Sequence, residues 1–132
     1  MSMSRIARRG LAGLVPALLG ARGAAAHHGW DWAQGEQTTL TGTIREVYIG
    51  QPHPTLRVET ASDGVWVVEL GNPSQTARSG FTAASARAGE QVTALGNRSR
   101  AQGERRMKAV RITVRERSYD IYPERIRTTR SS

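Results

Sequence analysis

The chain has 132 residues, of which 19 are Lys or Arg, 11 are Asp or Glu, 3 are His and none is Cys. This length suits one domain, and the absence of Cys excludes disulfides, thiolate metal sites and cysteine nucleophiles. The net charge of +8 would suit a nucleic-acid partner. However, residues 1–26 hold four Arg and no acid, so residues 27–132 carry 15 basic and 11 acidic residues, or +4.

Residues 1–26 are predicted to be a cleaved export signal. A basic start precedes an apolar stretch at residues 11–19, and Ala24-Ala25-Ala26 offers the small-residue pattern that signal peptidase cuts. The expected cut lies before His27. Arg8-Arg9 also matches the start of a twin-arginine signal, so both export routes stay open. We therefore expect a periplasmic or secreted protein with no transmembrane span after cleavage, because the apolar stretch is too short to cross a bilayer.

Beyond the signal, short β-branched stretches separated by Gly and Pro predict strands. The predicted strands are 40–49, 56–60, 65–70, 90–96 and 105–114, with a short helix starting at Pro73 and ending near Gly80. The fold class is therefore all-β with one short helix. The order β-β-β-α-β-β favours a five-stranded OB-like Greek-key barrel, and another five-stranded barrel or sandwich is the alternative. We expect the barrel to occupy residues 27–118 and a basic C-terminal tail to occupy 119–132, which Tyr119, Ile121, Tyr122 and Ile126 could lay along the barrel.

Two local features refine this prediction. Gly42 lies inside the first strand and indicates a bend at which a small barrel turns its corner. In the last predicted strand, alternation favours a core face made of Val110, Ile112 and Val114, with Lys108 at its rim. Glu59 and Glu69 fall on neighbouring predicted strands and could approach each other as a carboxylate pair, but exposed strand acids facing Arg57 or Lys108 explain them as well.

Several short motifs occur together in the predicted mature chain. They are Ala26-His27-His28, Leu40-Thr41-Gly42-Thr43-Ile44, Pro52-His53, Val67-Val68-Glu69-Leu70-Gly71, Pro73-Ser74 and Ala88-Gly89-Glu90. In this combination the chain resembles a family of small exported bacterial proteins of unassigned function with an OB-like fold. The resemblance covers about residues 24–115, with Gln51 where the family usually has Asn. It implies export and fold, and it supplies no reaction.

The three histidines are the candidate metal ligands. If the signal is cut before His27, the free amine and the His27 ring can chelate one ion, and His53 can complete a three-nitrogen site that favours copper(II). Alternatively, His28 at the second position allows the amine, one backbone amide and its imidazole to bind the metal. Copper(II) is therefore the possible cofactor, and affinity is expected to fall as the imidazoles protonate. The competing interpretation is a polar N-terminus and a loop histidine without a metal.

A second hypothesis is a protein-interaction module of the cell envelope that needs no metal. Its predicted surface combines two aromatic residues with a basic strip: Tyr48, Trp66, Arg98, Arg100, Arg105, Arg106 and Lys108. Nucleic acid is not expected, because the aromatic residues on which bases stack are few. The sequence contains no nucleophile elbow and no glycine-rich phosphate loop. We therefore expect a binding protein that holds a metal ion or an envelope protein, and no enzyme activity.

Overall fold

Six strands and one short α-helix are present within the part of the chain that the structure, a computed structural model, describes. That part is residues 29–127, so the predicted signal lies outside it. The elements are β1 (Ala33–Tyr48), β2 (Thr55–Glu59), β3 (Val65–Glu69), α1 (Pro73–Arg78), β4 (Gln91–Ser99), β5 (Arg106–Val114) and β6 (Arg117–Asp120), followed by a 3-10 turn (Pro123–Arg125).

Five of the strands form a barrel-like ring. β1 pairs antiparallel with β2 and β4, β2 pairs with β3, and β4 pairs with β5. A short parallel pairing of β3 with β5, which sets Val68 opposite Met107, completes the ring. β6 adds to β5 as a sixth strand of the sheet. The prediction of a mostly-β chain with one short helix and five ring strands is confirmed.

The first strand is longer than predicted, because it begins at Ala33 and has 16 residues. β1 pairs with β4 as far as Thr43, and from Thr43 onward it pairs with β2. Gly42 lies beside this change of partner, and a Cβ there would lie 2.7 Å from the Val58 Cγ1 atom and would clash with the Glu59 carbonyl. The close approach of two backbones therefore explains the glycine.

The helix α1 begins and ends as the sequence indicates. The Asn72 side chain accepts a hydrogen bond from the Gln75 amide at 2.8 Å, which satisfies one free donor of the first turn. Gly80, at φ +90°, follows the C-cap in a left-handed conformation that glycine adopts without strain. Phe81 then enters the core and meets Tyr119 edge to face, with ring centroids 5.2 Å apart. Among residues 29–127 no helix is long and apolar enough to span a membrane.

The predicted core face of β5 is right for Val110, Ile112 and Val114, which are all buried, but it leaves out Met107 and Ala109, which are buried as well. A bulge in the β4–β5 ladder, between Leu95 and Gly96, reverses the alternation of side chains at Val110. The core cluster therefore takes Met107 and Ala109 before the bulge and Ile112 and Val114 after it. Lys108 lies between two core residues on the opposite face of the strand. Alternation of apolar and polar residues along a strand does not reveal where a bulge lies. One extra residue at a bulge moves all the following side chains to the opposite face of the sheet.

The predicted boundary between barrel and tail falls inside β6. Tyr119 and Ile121, assigned to the tail, are buried members of the core cluster. The amides of Ile121 and Tyr122 both donate to the carbonyl of Val110, at the β5 bulge. The chain to at least Tyr122 is therefore part of the folded unit.

Candidate functional site

A buried lysine is the least expected feature of the molecule. Lys108 is 1% exposed, although the sequence placed it at a solvent-facing rim. Its ammonium lies 5.7 Å from the centroid of the Tyr122 ring, which the C-terminal chain brings next to it. The prediction of an exposed Lys108 is therefore wrong, because the segment after β6 covers the outer side of β5.

The charge of Lys108 is balanced by Glu69 at the end of β3. The Lys108 Nζ donates to Glu69 Oε1 at 2.9 Å, and Arg106 Nη2 donates to Oε2 at 2.7 Å. Burial by itself would raise the pKa of Glu69, but the hydrogen bonds and charges of Arg106 and Lys108 outweigh burial and lower it. Glu69 is thus an ionised carboxylate with two cationic partners, only 6% exposed.

His53 lies against the same carboxylate. It belongs to the loop between β1 and β2, and the buried Pro54 fixes that loop because its carbonyl accepts from the Leu70 amide at 2.9 Å. The His53 Nε2 atom lies 3.7 Å from Glu69 Oε1, which is longer than a hydrogen bond. The His53 Nδ1 atom is buried and has no hydrogen-bond partner. A buried ring nitrogen without a partner is uncommon and indicates an interaction that the described residues do not supply.

Tyr122 completes this group, which we call the Glu69 cluster: Glu69, Lys108, Arg106, His53 and Tyr122. Burial, followed by the negative charge of Glu69, raises the pKa of the Tyr122 phenol above its ordinary value of 10.0. The cluster therefore holds one carboxylate, two cations, a neutral phenol and an imidazole on the outer side of the β3–β5 pairing.

This geometry does not test the predicted metal site of His27, His28 and His53. His27 and His28 lie outside the described residues. Across residues 29–127, no three side chains among His, Asp and Glu are grouped closely enough to hold a metal ion. The structure brings His53 to Glu69, and a metal site at His53 would need further ligands from the N-terminal histidines.

The predicted interaction surface does not form one exposed face. Trp66 is 5% exposed and belongs to the core, so its assignment to the surface is wrong, as it is for Lys108. The guanidinium of Arg98 lies 4.9 Å above the Trp66 ring, and its Nε donates to Thr38. Trp66, Arg98 and Arg105 do line one recess of about 350 Å³ at the β4–β5 loop.

The remaining residues of that surface have separate local partners. Arg100 donates to the Ala33 carbonyl at 2.8 Å, and Arg106 belongs to the Glu69 cluster. Arg105 pairs at 3.6 Å with Asp63. Tyr48 is 44% exposed at the end of β1, and the adjacent Ile49 is 40% exposed. Of the predicted surface residues, Tyr48, Arg100 and Arg105 are exposed.

Sequence reasoning missed two members of the Glu69 cluster. It placed Tyr122 in a tail, because a four-residue strand after Val114 has no distinct signal in a basic segment. It considered Glu69 with Lys108 and did not connect either residue with His53. The signal that could have linked them is the buried character of β3, where a lone Glu follows an apolar run and requires a cationic partner.

These features define a class: a small β protein with a ring of five strands and an internally charged cluster beneath its C-terminal segment. The chain belongs to the family of unknown function DUF6152, whose model matches residues 17–108. The match begins inside the predicted export signal and ends in β5, so it includes all three histidines. No curated protein matches the chain.

Proposed function

We propose that the protein is an exported copper(II)-binding protein of the periplasm, which carries or buffers the metal and performs no catalysis. The observation that carries this proposal is the state of His53. Its Nδ1 is buried without a hydrogen-bond partner, and its Nε2 faces the carboxylate of Glu69. Metal-binding histidines commonly direct their other ring nitrogen at a carboxylate, and His53 resembles them in having Glu69 Oε1 3.7 Å from its Nε2, although the two atoms are not hydrogen-bonded.

The remaining ligands would come from the N-terminus of the processed chain. The free amine and ring of His27 would join His53 in a site of three neutral nitrogens, or His28 would supply an imidazole in the alternative chelate. Imidazole and amine nitrogens suit copper(II), which prefers tetragonal nitrogen sites. Glu69 would not be a ligand, because Lys108 and Arg106 already occupy both of its oxygens.

The test uses protein purified after export, with its N-terminus identified by mass spectrometry. A chain that begins at His27 should bind one copper(II) ion in a calorimetric titration against a competing chelator. His53→Ala and a chain extended by one residue before His27 should each weaken binding by at least tenfold. His53 is the only described histidine, so Gln51→Ala, in the same loop, is the matched control and should bind as the wild type does. Processing elsewhere, or binding unaffected by both changes, would overturn the proposal.

A second candidate function is a docking module for another envelope protein. The exposed Tyr48 and Ile49 favour it, because two consecutive large apolar residues are exposed just before the His53 loop. A photo-crosslinking residue placed at Tyr48 should then give one adduct in the periplasm, which mass spectrometry identifies. The same crosslinking residue placed at the exposed Arg87 should give no adduct. Equal labelling from both positions would contradict docking, which unlike copper binding does not depend on where the signal is cut.

A further inference from the structure

We propose that Glu69 is a positioning residue for His53: it holds the imidazole with its proton on Nε2, so that the Nδ1 lone pair is the one presented to a ligand. This inference rests on the proposed copper function for its purpose, and its geometry is independent of the metal. Glu69 is assigned no contact with the metal itself.

The first step is the direction of the ring. The His53 Nε2 atom lies 3.7 Å from a carboxylate oxygen of Glu69, whereas the Nδ1 atom is buried and has no hydrogen-bond partner. A proton on Nε2 is attracted by the carboxylate. A proton on Nδ1 would be a buried donor without a partner. The carboxylate therefore favours the tautomer with its proton on Nε2.

The second step is the rigidity of the carboxylate. Glu69 is the last residue of β3 and is paired with Thr55 of β2 on one side and Lys108 of β5 on the other. Its two oxygens are held separately by Lys108 and Arg106. A carboxylate held by two strands and two cations cannot rotate to follow the ring, so the ring takes its orientation from the carboxylate.

The third step is the role of the cations. Without Lys108 and Arg106, a carboxylate beside an imidazole could itself bind a divalent ion. With both oxygens already bound to cations, Glu69 is suited to orient His53 and is poorly suited to compete for the ion. The buried lysine beside a candidate metal ligand therefore serves to hold the carboxylate that faces His53.

The test reads the tautomer directly in the metal-free full chain. Nitrogen-15 spectra of the His53 ring, recorded where the ring is neutral, should show protonated Nε2 and unprotonated Nδ1. Glu69→Gln should raise the population of the Nδ1-protonated form. Glu69→Asp keeps the charge and withdraws the carboxylate by one methylene, and it should give an intermediate spectrum. Glu59→Gln, on the neighbouring strand, should leave the spectrum unchanged, and circular dichroism shows that each variant is folded.

Copper titration of the same variants then separates the two proposals. Glu69→Gln should weaken copper(II) binding by about 10- to 100-fold, and Glu59→Gln should not weaken it. A wild-type ring protonated on Nδ1, or a tautomer unaffected by both Glu69 variants, overturns the positioning role whether or not copper binds. A wild-type protein that shows the expected tautomer and binds no copper overturns the copper function and leaves the orientation of His53 established.

Discussion

A buried ion pair is the residue-scale feature on which most of the account depends. Removing Lys108 from water is unfavourable, and its contacts with Glu69 and the Tyr122 ring offset that loss. An ion pair of this kind is a poor source of net stability, but it requires a specific geometry. The requirement to satisfy Glu69 fixes where β3, β5 and the His53 loop meet.

Removing one partner should therefore be strongly destabilising. Lys108→Met leaves Glu69 buried with Arg106 alone, and we expect the free energy of unfolding to fall by about 3 kcal/mol. The matched control is Arg45→Met, since Arg45 pairs with Glu59 on the surface, where both side chains are about half exposed. Arg45→Met should lower the free energy of unfolding by less than about 1 kcal/mol. Urea unfolding measures both, and equal losses would contradict the burial argument.

The lowered pKa of Glu69 predicts the direction of acid sensitivity. Because the folded pKa is lower than the ordinary value of 4.5, the unfolded chain binds the proton more readily than the folded protein. The contribution of Glu69 is therefore fully present above pH 4.5 and is lost as the pH falls through the folded pKa.

Glu69→Gln should consequently reduce the dependence of stability on pH below about 4.5, because its side chain cannot take up that proton. The measurement is urea unfolding at a series of acidic pH values, with Glu59→Gln as the control on the adjacent strand. A variant whose stability falls with acid as steeply as that of the wild type would show that Glu69 does not carry the effect.

At the scale of elements, alternation and turn residues predicted the five ring strands and α1, because hydrophobic period and capping chemistry are local properties. Gly42 indicated the bend in β1, but the β4–β5 bulge was not predictable, because it depends on which strands meet. His53 could be proposed as a metal ligand from its residue type alone. Its contact with Glu69 could not be predicted, because that contact depends on which strands meet. The sequence shows a chemical group, and only the ring brings two distant groups together.

Gly42 provides the element-scale prediction. A methyl group there would enter the space held by Val58 and the Glu59 backbone, and backbone atoms in a paired strand cannot move aside easily. Gly42→Ala should lower the free energy of unfolding by about 2 kcal/mol. Gly35→Ala is the control, because Gly35 lies in the same strand and a Cβ added there would have no atom within 4 Å. A denaturant titration in which both variants lose equally would argue against the close approach.

For the whole molecule, the segment after β5 is part of the folded unit. Ile121 is fully buried beneath α1 and beside β5, and Tyr122 covers Lys108. Ile121→Ala should lower the free energy of unfolding by about 3 kcal/mol, because it removes buried apolar surface and leaves a cavity. Ile49→Ala, at an exposed position, should change that free energy by less than about 0.5 kcal/mol. A thermal melt that Ile121→Ala leaves unchanged would restore the boundary at residue 118.

The same segment relates the fold to the proposed function, since it covers the cations that hold Glu69 beside His53. The central claim is that the ring nitrogen of His53 binds copper(II) together with the processed N-terminus. The most direct measurement is pulsed electron paramagnetic resonance of the copper-loaded exported protein, with the histidine rings labelled with nitrogen-15. The account predicts a coupled imidazole nitrogen that is present in the wild type and absent in His53→Ala. An identical set of nitrogen couplings in both proteins would contradict it.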